Sequence, residues 1–195
     1  MMNEVRTSAT HPLRVDFVDT TELKLPGRLG LTFAPGKKQR HAFTGVWERD
    51  LETDLIALRD DFRTNLLVSL IEEHEFAHLR IRTLREQAPL YGMEVLWFPI
   101  RDQSVPTSTV QFHQAVQLIV ERLSEGKTVV IHCMGGLGRT GLVAAAALVA
   151  TTELTPQEAI ALVRRARQGA IETPEQAEYV SEFHRHLQRL RSSKS

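Results

Sequence analysis

Val129-Val130-Ile131-His132-Cys133-Met134-Gly135-Gly136-Leu137-Gly138-Arg139-Thr140-Gly141 is the stretch on which the reading of this chain turns. Residues 128–131 are β-branched and predict a buried strand. The run after Gly141, Leu-Val-Ala-Ala-Ala-Ala-Leu-Val-Ala, is apolar on every side and predicts a helix buried in the domain centre. Between Cys133 and Arg139 lie five residues, three of them glycine. Glycines permit positive φ, so the amides of Met134, Gly135, Gly136, Leu137 and Gly138 can turn inward around a tetrahedral anion. The following helix aims its N-terminal dipole at the same point. Arg139 offers a planar fork with two parallel hydrogen bonds for phosphate oxygens, which Lys does not reproduce. An electropositive cradle of this kind favours a thiolate at Cys133, aligned beneath phosphorus for in-line attack. His132 is placed to brace the loop backbone, and Thr140 to donate a hydrogen bond to the departing sulfur.

Blander readings compete with this one. A lone cysteine after a Val-Val-Ile strand is more often a small core residue, and glycine-rich strand-to-helix turns also serve nucleotides. The nucleoside triphosphate loop, however, requires Gly-Lys-Ser/Thr, and no lysine lies here. The dinucleotide fingerprint sits at an early β–α turn, whereas this turn is late and carries Cys and Arg.

With His, Cys, the spaced glycines, Arg, Thr and Gly in register, the segment resembles the signature of the protein tyrosine phosphatase superfamily, His-Cys-x5-Arg-Ser/Thr-Gly. Within it, His-Cys-Met-Gly-Gly-Leu-Gly-Arg-Thr-Gly is similar to the loop of the kinase-associated phosphatase (cyclin-dependent kinase inhibitor 3) family. The resemblance runs over residues 25–190 and is densest over residues 95–180. It implies a cysteine-phosphatase fold and a proton donor on a loop upstream of the cysteine strand. In Phe98-Pro99-Ile100-Arg101-Asp102-Gln103-Ser104-Val105-Pro106, Asp102 followed by Pro106 resembles that acid loop, which makes Asp102 the general acid. Arg101 departs from the small residue expected there and reads as solvated. Ala170-Ile171-Glu172-Thr173-Pro174-Glu175-Gln176 resembles the family's glutamine loop, in which Gln176 orients the hydrolytic water; Glu172 reads as a surface charge. The resemblance implies no cofactor and no metal, because loop amides and Arg139 supply the positive field.

The surroundings fit an α/β domain with a central, mostly parallel sheet flanked by helices. Strands are expected over residues 13–19, 29–34, 66–71, 93–98 and 128–131, the first two forming a hairpin-like opening. Helices are expected over residues 49–63, 73–87 and 108–124 and after Gly141. Two more are opened by Thr155-Pro156 and Thr173-Pro174, the second ending near Leu190. The expected organisation is a loose tail over residues 1–12, one phosphatase domain over 13–190 and a fraying tail over 191–195.

Lys+Arg and Asp+Glu are both 24 in the 195 residues, so no global charge attracts nucleic acid or an anionic membrane. The longest apolar run is too short to span a bilayer. With one cysteine and a polar N-terminus, the chain reads as cytoplasmic. His74-Glu75-Phe76-Ala77-His78 matches the metalloprotease spacing His-Glu-x-x-His, but no third ligand is evident and the cysteine loop already accounts for the fold. Arg164, Arg165 and Arg167 read as a solvated helix face.

The expected partner is a phosphoprotein or phosphopeptide, with phosphotyrosine as substrate and a shallow pocket that also admits phosphoserine or phosphothreonine. Uncharged Met134 and Leu137 argue against inositol lipids. The alternative is a non-catalytic phospho-binding or kinase-partner module on the same fold.

Overall fold

The computed structural model describes residues 5–42 and 45–193. The strands are β1 (Val5–Arg6), β2 (Asp16–Phe17), β3 (Arg28–Thr32), β4 (Lys38–Ala42), β5 (Gly45–Glu48), β6 (Leu66–Ser69), β7 (Glu94–Trp97) and β8 (Thr128–His132). The α-helices are α1 (Leu51–Asp60), α2 (Glu73–His78), α3 (Leu84–Gln87), α4 (Thr109–Ser124), α5 (Gly138–Thr151), α6 (Pro156–Ala166) and α7 (Pro174–Ser192). Five strands form the main sheet in the order β2-β3-β8-β6-β7, parallel except for β2, which runs antiparallel to β3. The expected α/β architecture is thus the observed one.

β8 occupies the middle of the sheet because it can be buried on both faces: all five of its residues are buried. Its register aligns Thr32, His132 and Ser69 across three parallel strands. Cys133 therefore leaves the sheet at its carboxyl edge, where open α/β sheets bind ligands. The chain then turns directly into α5, whose residues from Gly138 through Val149 are all buried. That helix packs against β3, β8, α4, α6 and α7. Its four consecutive alanines, Ala144 to Ala147, are fully buried and leave room for those neighbours to approach closely.

Three local expectations need correction. The helix expected over residues 73–87 is broken into α2 and α3, with Arg80 in a left-handed turn at φ 56°. Leu79, Ile81 and Leu84 are all buried, and residues 79 and 81 would face opposite sides of one continuous helix. The turn brings both to the core. Strands β4 and β5 were not anticipated, because Lys38-Gln39-Arg40-His41-Ala42 shows no apolar alternation; they form a second, three-stranded sheet in the order β1-β5-β4. The loose tail over residues 1–12 is likewise only partly so. Val5 and Arg6 pair in parallel with Val46 and Trp47, and Ser8 is buried. Residues 1–4, at the start of that tail, and 194–195, at the end of the C-terminal one, lie outside the described residues, while Arg191 and Ser192 are still helical. The strand expected over 13–19 is trimmed to Asp16–Phe17, and the hairpin-like pairing with β3 is present.

One buried ion pair locks the second sheet and the N-terminal segment to the domain. Arg49 Nε and Nη2 each lie 2.8 Å from a carboxylate oxygen of Asp54, and Nη1 donates to the carbonyl of His11 at 2.6 Å. Asp54 also accepts from Ser8 Oγ and from the amide of Gly36, both at 2.8 Å. Both side chains are essentially inaccessible to solvent, so each charge is tolerable only because the other is present. Asp54→Ala is expected to cost about 3–5 kcal/mol in urea denaturation by stranding Arg49. The double change Arg49→Met with Asp54→Leu is expected to cost clearly less than Asp54→Ala alone.

Among the described residues no helix is long and apolar enough to cross a membrane.

Candidate active site

The segment from Cys133 to Arg139 is shaped by where its carbonyls go. The carbonyl of Cys133 meets His132 Nδ1 at 3.2 Å; that of Met134 accepts from Ala34 N at 3.3 Å and from Lys37 Nζ at 3.4 Å. Gly135 O accepts from Arg167 Nη2 at 3.0 Å, and Leu137 O from the amides of Gly141 at 2.8 Å and Ile171 at 3.3 Å. In a planar trans peptide each carbonyl opposes the next N–H. Carbonyls held outward therefore turn the amides of 134, 135, 136 and 138 inward. Gly136 N donates to Cys133 Sγ at 3.2 Å, and the amide of Gly138 opens α5.

Two glycines in this loop lie where a Cβ would meet close neighbours, backbone at Gly136 and side-chain ends at Gly138. Gly136 has φ 74°, and a Cβ there would run into the carbonyl of Thr32. A Cβ on Gly138 would lie 2.5 Å from Glu172 Oε2 and 2.9 Å from Gln176 Nε2.

Arg139 is 1% exposed. Its Nη1 and Nη2 donate to Glu75 Oε2 and Oε1 at 2.7 and 2.9 Å, and Nη1 also reaches the carbonyl of Ile100 at 3.0 Å. Asp102 Oδ1 lies 2.9 Å from Nη2, while its side chain remains 56% exposed at the mouth. Asp102 and Arg139 thus meet at the end of the loop that begins at Cys133. Nε of Arg139 is buried and has no hydrogen-bond partner among the described residues. Burial opposes the Arg139 charge, but the bonds to Glu75 outweigh it and hold the guanidinium protonated. Burial likewise pushes the Glu75 carboxyl up, and its bonds to Arg139 and to the Glu72 amide bring it below the usual range.

Glu75 was not anticipated as part of the site. It is the acidic residue of the His74-Glu75-Phe76-Ala77-His78 stretch, and it faces the Arg139 guanidinium. Among the described residues no group of three His, Cys, Asp or Glu side chains is arranged to hold a metal. A signal for Glu75 was present: Glu72 and Glu75 form a capping box at the start of α2, with Glu75 Oε2 accepting from Glu72 N at 2.7 Å. The same oxygen holds Arg139.

His132 is fully buried, and desolvation pushes its imidazole down to about 4, so it is neutral at neutral pH. The Nδ1–H tautomer then donates to the Cys133 carbonyl, as the bracing role requires. Thr140 is buried directly after Arg139, and its hydroxyl has no partner among the described residues.

Gln176 is fully buried at the start of α7. Its Oε1 accepts from the amides of Glu172 at 3.0 Å and Thr173 at 3.3 Å, and its Nε2 donates to Ser104 O at 3.3 Å. It therefore joins the glutamine segment to the loop that carries Asp102. Ile171, beside it, holds φ 61°, which lets its amide reach Leu137 O.

Three further residues correct the sequence reading. Glu172 is not merely a surface charge: its Oε2 accepts from Gly138 N at 2.9 Å, placing a carboxylate on one of the inward amides. Arg167 is not solvated but bridges Gly135 O and Asp16, whose Oδ2 is 2.6 Å away. Arg164 donates to the carbonyls of Ala170 and Ile171 at 3.1 Å. Lys37 is 4% exposed, its ammonium packed 4.5 Å from the centre of the Trp47 ring and 5.0 Å from that of Phe33. Burial pushes it down to about 8, against the opposing pull of Cys133. Nothing in Pro35-Gly36-Lys37 announced its reach to the Met134 carbonyl, because that contact spans 97 positions of chain. Arg101 is exposed.

A parallel sheet ending in an amide-lined Cys-x5-Arg turn and a buried helix defines the cysteine-dependent phosphatase class. A family model described as "Polymorphic toxin system, DSP-PTPase phosphatase" matches residues 48–153, more than half of the chain. The chain belongs to this family of protein-tyrosine and dual-specificity phosphatases. It is 29% identical to the cyclin-dependent kinase inhibitor 3 of Rattus norvegicus over 185 residues, covering 94% of this chain and 84% of the relative. The crystal structure of the kinase-associated phosphatase with its catalytic-site cysteine replaced by serine superposes with TM-score 0.81 at 25% identity, covering 90% of this chain and 96% of that one. Tk-PTP in its active form gives TM-score 0.66 at 32% identity over 88% of this chain and 96% of that one.

The buried histidine gives the folded chain a measurable pH response. Its folded pKa of about 4 lies below the ordinary value of 6.5, so the unfolded chain binds the extra proton first as pH falls. The stability associated with His132 is full above pH 6.5 and is lost between 6.5 and 4, by up to about 3 kcal/mol. In urea denaturation across that window, His132→Asn is expected to flatten the slope. An unchanged slope would place the titration elsewhere.

Proposed function

We propose that the chain hydrolyses phosphotyrosine in proteins or peptides, and phosphoserine or phosphothreonine as well, through a phosphocysteine intermediate. One observation carries the reading: Cys133 Sγ accepts from the amide of Gly136 at 3.2 Å, in a loop that ends at a guanidinium whose orientation is fixed by Glu75. Supporting it, the kinase-associated phosphatase, which has a catalytic-site cysteine, shares the fold over most of both chains.

In the first step the Cys133 thiolate attacks phosphorus and the bond to the leaving oxygen breaks. Asp102, as the acid, gives its proton to that oxygen. The equatorial oxygens lie on the loop amides of Met134, Gly135, Gly136, Leu137 and Gly138 and on the Arg139 fork, which stabilise charge without reorganising. To make room, Asp102 gives up its contact with Arg139, and Glu172 gives up the Gly138 amide. In the second step water attacks phosphorus, oriented by the remaining N–H of Gln176, while the Asp102 carboxylate takes its proton. The S–P bond breaks, and the thiolate leaves as Thr140 donates to the sulfur. Inorganic phosphate departs and the enzyme is restored. The residues present need no cofactor for these steps.

Turnover of p-nitrophenyl phosphate and of a phosphotyrosine peptide tests this directly. Cys133→Ser is expected to lower kcat by 1,000-fold or more, and Arg139→Lys by about 100- to 1,000-fold. Asp102→Asn is expected to lower kcat by about 100-fold on the peptide and by less on p-nitrophenyl phosphate, whose leaving group depends less on a proton. Turnover that survives Cys133→Ser would sink the proposal, and phosphopeptide binding with no turnover by the unaltered chain would favour the phospho-binding module.

Glu172 provides an independent check on where the anion sits. Its carboxylate repels a dianion approaching the same amide, so Glu172→Gln is expected to tighten inhibition by inorganic phosphate by roughly 5-fold, with little change in thermal midpoint. Weaker inhibition would mean that Glu172 does not compete for the cradle.

A further inference from the structure

Lys37 lies against the cysteine loop, and the steps above give it no task. Its backbone is fixed on both sides: the amide donates to Ala34 O at 3.4 Å, and the carbonyl accepts from Arg49 N at 3.2 Å. Gly36 makes the turn before it at φ 72°, where a Cβ would lie 2.7 Å from Leu51 Cα. The side chain then passes between two rings, its Nζ 5.0 Å from the centre of Phe33 and 4.5 Å from that of Trp47. It ends 3.4 Å from the carbonyl of Met134, the residue that directly follows Cys133.

A lysine is costly in such a place, because a charge with 4% exposure has lost most of its water. The neighbouring cations are compensated. Arg49 is paired with Asp54, Arg139 with Glu75 and Arg167 with Asp16. Lys37 has no carboxylate among the described residues. The charged groups that act on it are Arg49, Arg167 and Arg6, all of like sign, and Cys133, the only one opposed. Arg6 is itself stacked on the outer ring, 5.2 Å from the centre of Trp47. The two rings soften the cost of burial. The bond to Met134 does little more, since 3.4 Å is long for an N–H···O contact and that carbonyl already accepts from Ala34 N. A methionine of similar length would fill the same space with no charge to desolvate. What it would not supply is a positive field at the sulfur.

We propose that Lys37 is a positioning residue for the Cys133 nucleophile: it pins the Met134 carbonyl to the outside of the loop and sets an uncompensated positive charge against the thiolate. For turnover this rests on the phosphatase reading; for the reactivity of the sulfur it does not. The attraction is mutual, so a cation that gains from the thiolate favours the thiolate by as much. Burial brings Lys37 down to about 8, so its charge is present at neutral pH and is lost as pH rises through that value. The nucleophile thereby acquires an alkaline limit that comes from a residue outside the loop.

Cys133 is the only cysteine in the 195 residues, so alkylation by iodoacetamide reports on that sulfur alone. The reagent is uncharged, and its approach does not depend on the charge at position 37. In Lys37→Met the curve of alkylation rate against pH is expected to move upward by about one unit, while Lys37→Arg, which keeps the charge, stays near the unaltered chain. The thermal midpoint of Lys37→Met is expected to hold or rise, because a buried charge without a carboxylate is gone. A purely structural lysine would give the reverse, a lower midpoint with an unmoved curve, and that result overturns the proposal. So does a folded Lys37→Arg protein whose curve moves as far as that of Lys37→Met. In turnover of p-nitrophenyl phosphate, kcat/KM of the unaltered chain is expected to fall with a midpoint near 8, and that step is expected to vanish in Lys37→Met. A step that persists in the Met variant assigns it to another group and overturns the alkaline limit. Absence of any turnover by the unaltered chain defeats the phosphatase reading instead and leaves alkylation to decide the role of Lys37.

Discussion

The bidentate pair between Arg139 and Glu75 is the interaction on which the site depends. A guanidinium with 1% exposure has lost its water, and only a carboxylate in matching geometry makes that position tolerable. Glu75 is held in turn by its capping role at the first turn of α2, where one oxygen serves both the helix and Arg139. Both terminal nitrogens of the fork are thereby fixed, while Nε has no partner among the described residues. The break between α2 and α3 belongs to the same arrangement, since a continuous helix would take Leu79 or Ile81 out of the core that anchors α2.

Around this pair the loop is held mainly from outside. Ala34 and Lys37 reach Met134 from the region after β3, Arg167 reaches Gly135 from the end of α6, and Ile171 reaches Leu137 from the segment before α7. Each anchors a carbonyl, and the amides are aimed by the same peptide planes. The cradle is therefore set before any anion arrives, which is the condition for electrostatic stabilisation without reorganisation. The cations around it, Lys37, Arg139 and Arg167, are matched by the carboxylates of Glu75, Asp102 and Asp16, and a fourth, Glu172, rests on the Gly138 amide. Two of these four carboxylates, Asp102 and Glu172, are exposed.

Much of this was legible in the residues because it depends on neighbours along the chain. The β-branched strand, the glycine spacing, the position of Arg139 and the all-apolar α5 are local facts, and local sterics and hydrophobicity act on them directly. The capping boxes at Thr155 and Thr173 set the starts of α6 and α7 in the same way. Gln176 was singled out by resemblance to a family motif, while its burial against Ser104 and Gly138 arises only when α7 packs beside α5.

By itself, then, the sequence determined the α/β class and the strand-loop-helix unit that carries Cys133 and Arg139, because backbone freedom and side-chain chemistry are properties of short segments, while Asp102 was singled out by resemblance to a family motif. Only the tertiary structure decided that Glu75 partners Arg139, that Lys37 and Arg167 hold the loop and that Glu172 sits on its amide. Those contacts join residues 32 to 97 positions apart. No local pattern encodes them, since they exist only because burying the central sheet and α5 forces distant charged groups to find one another.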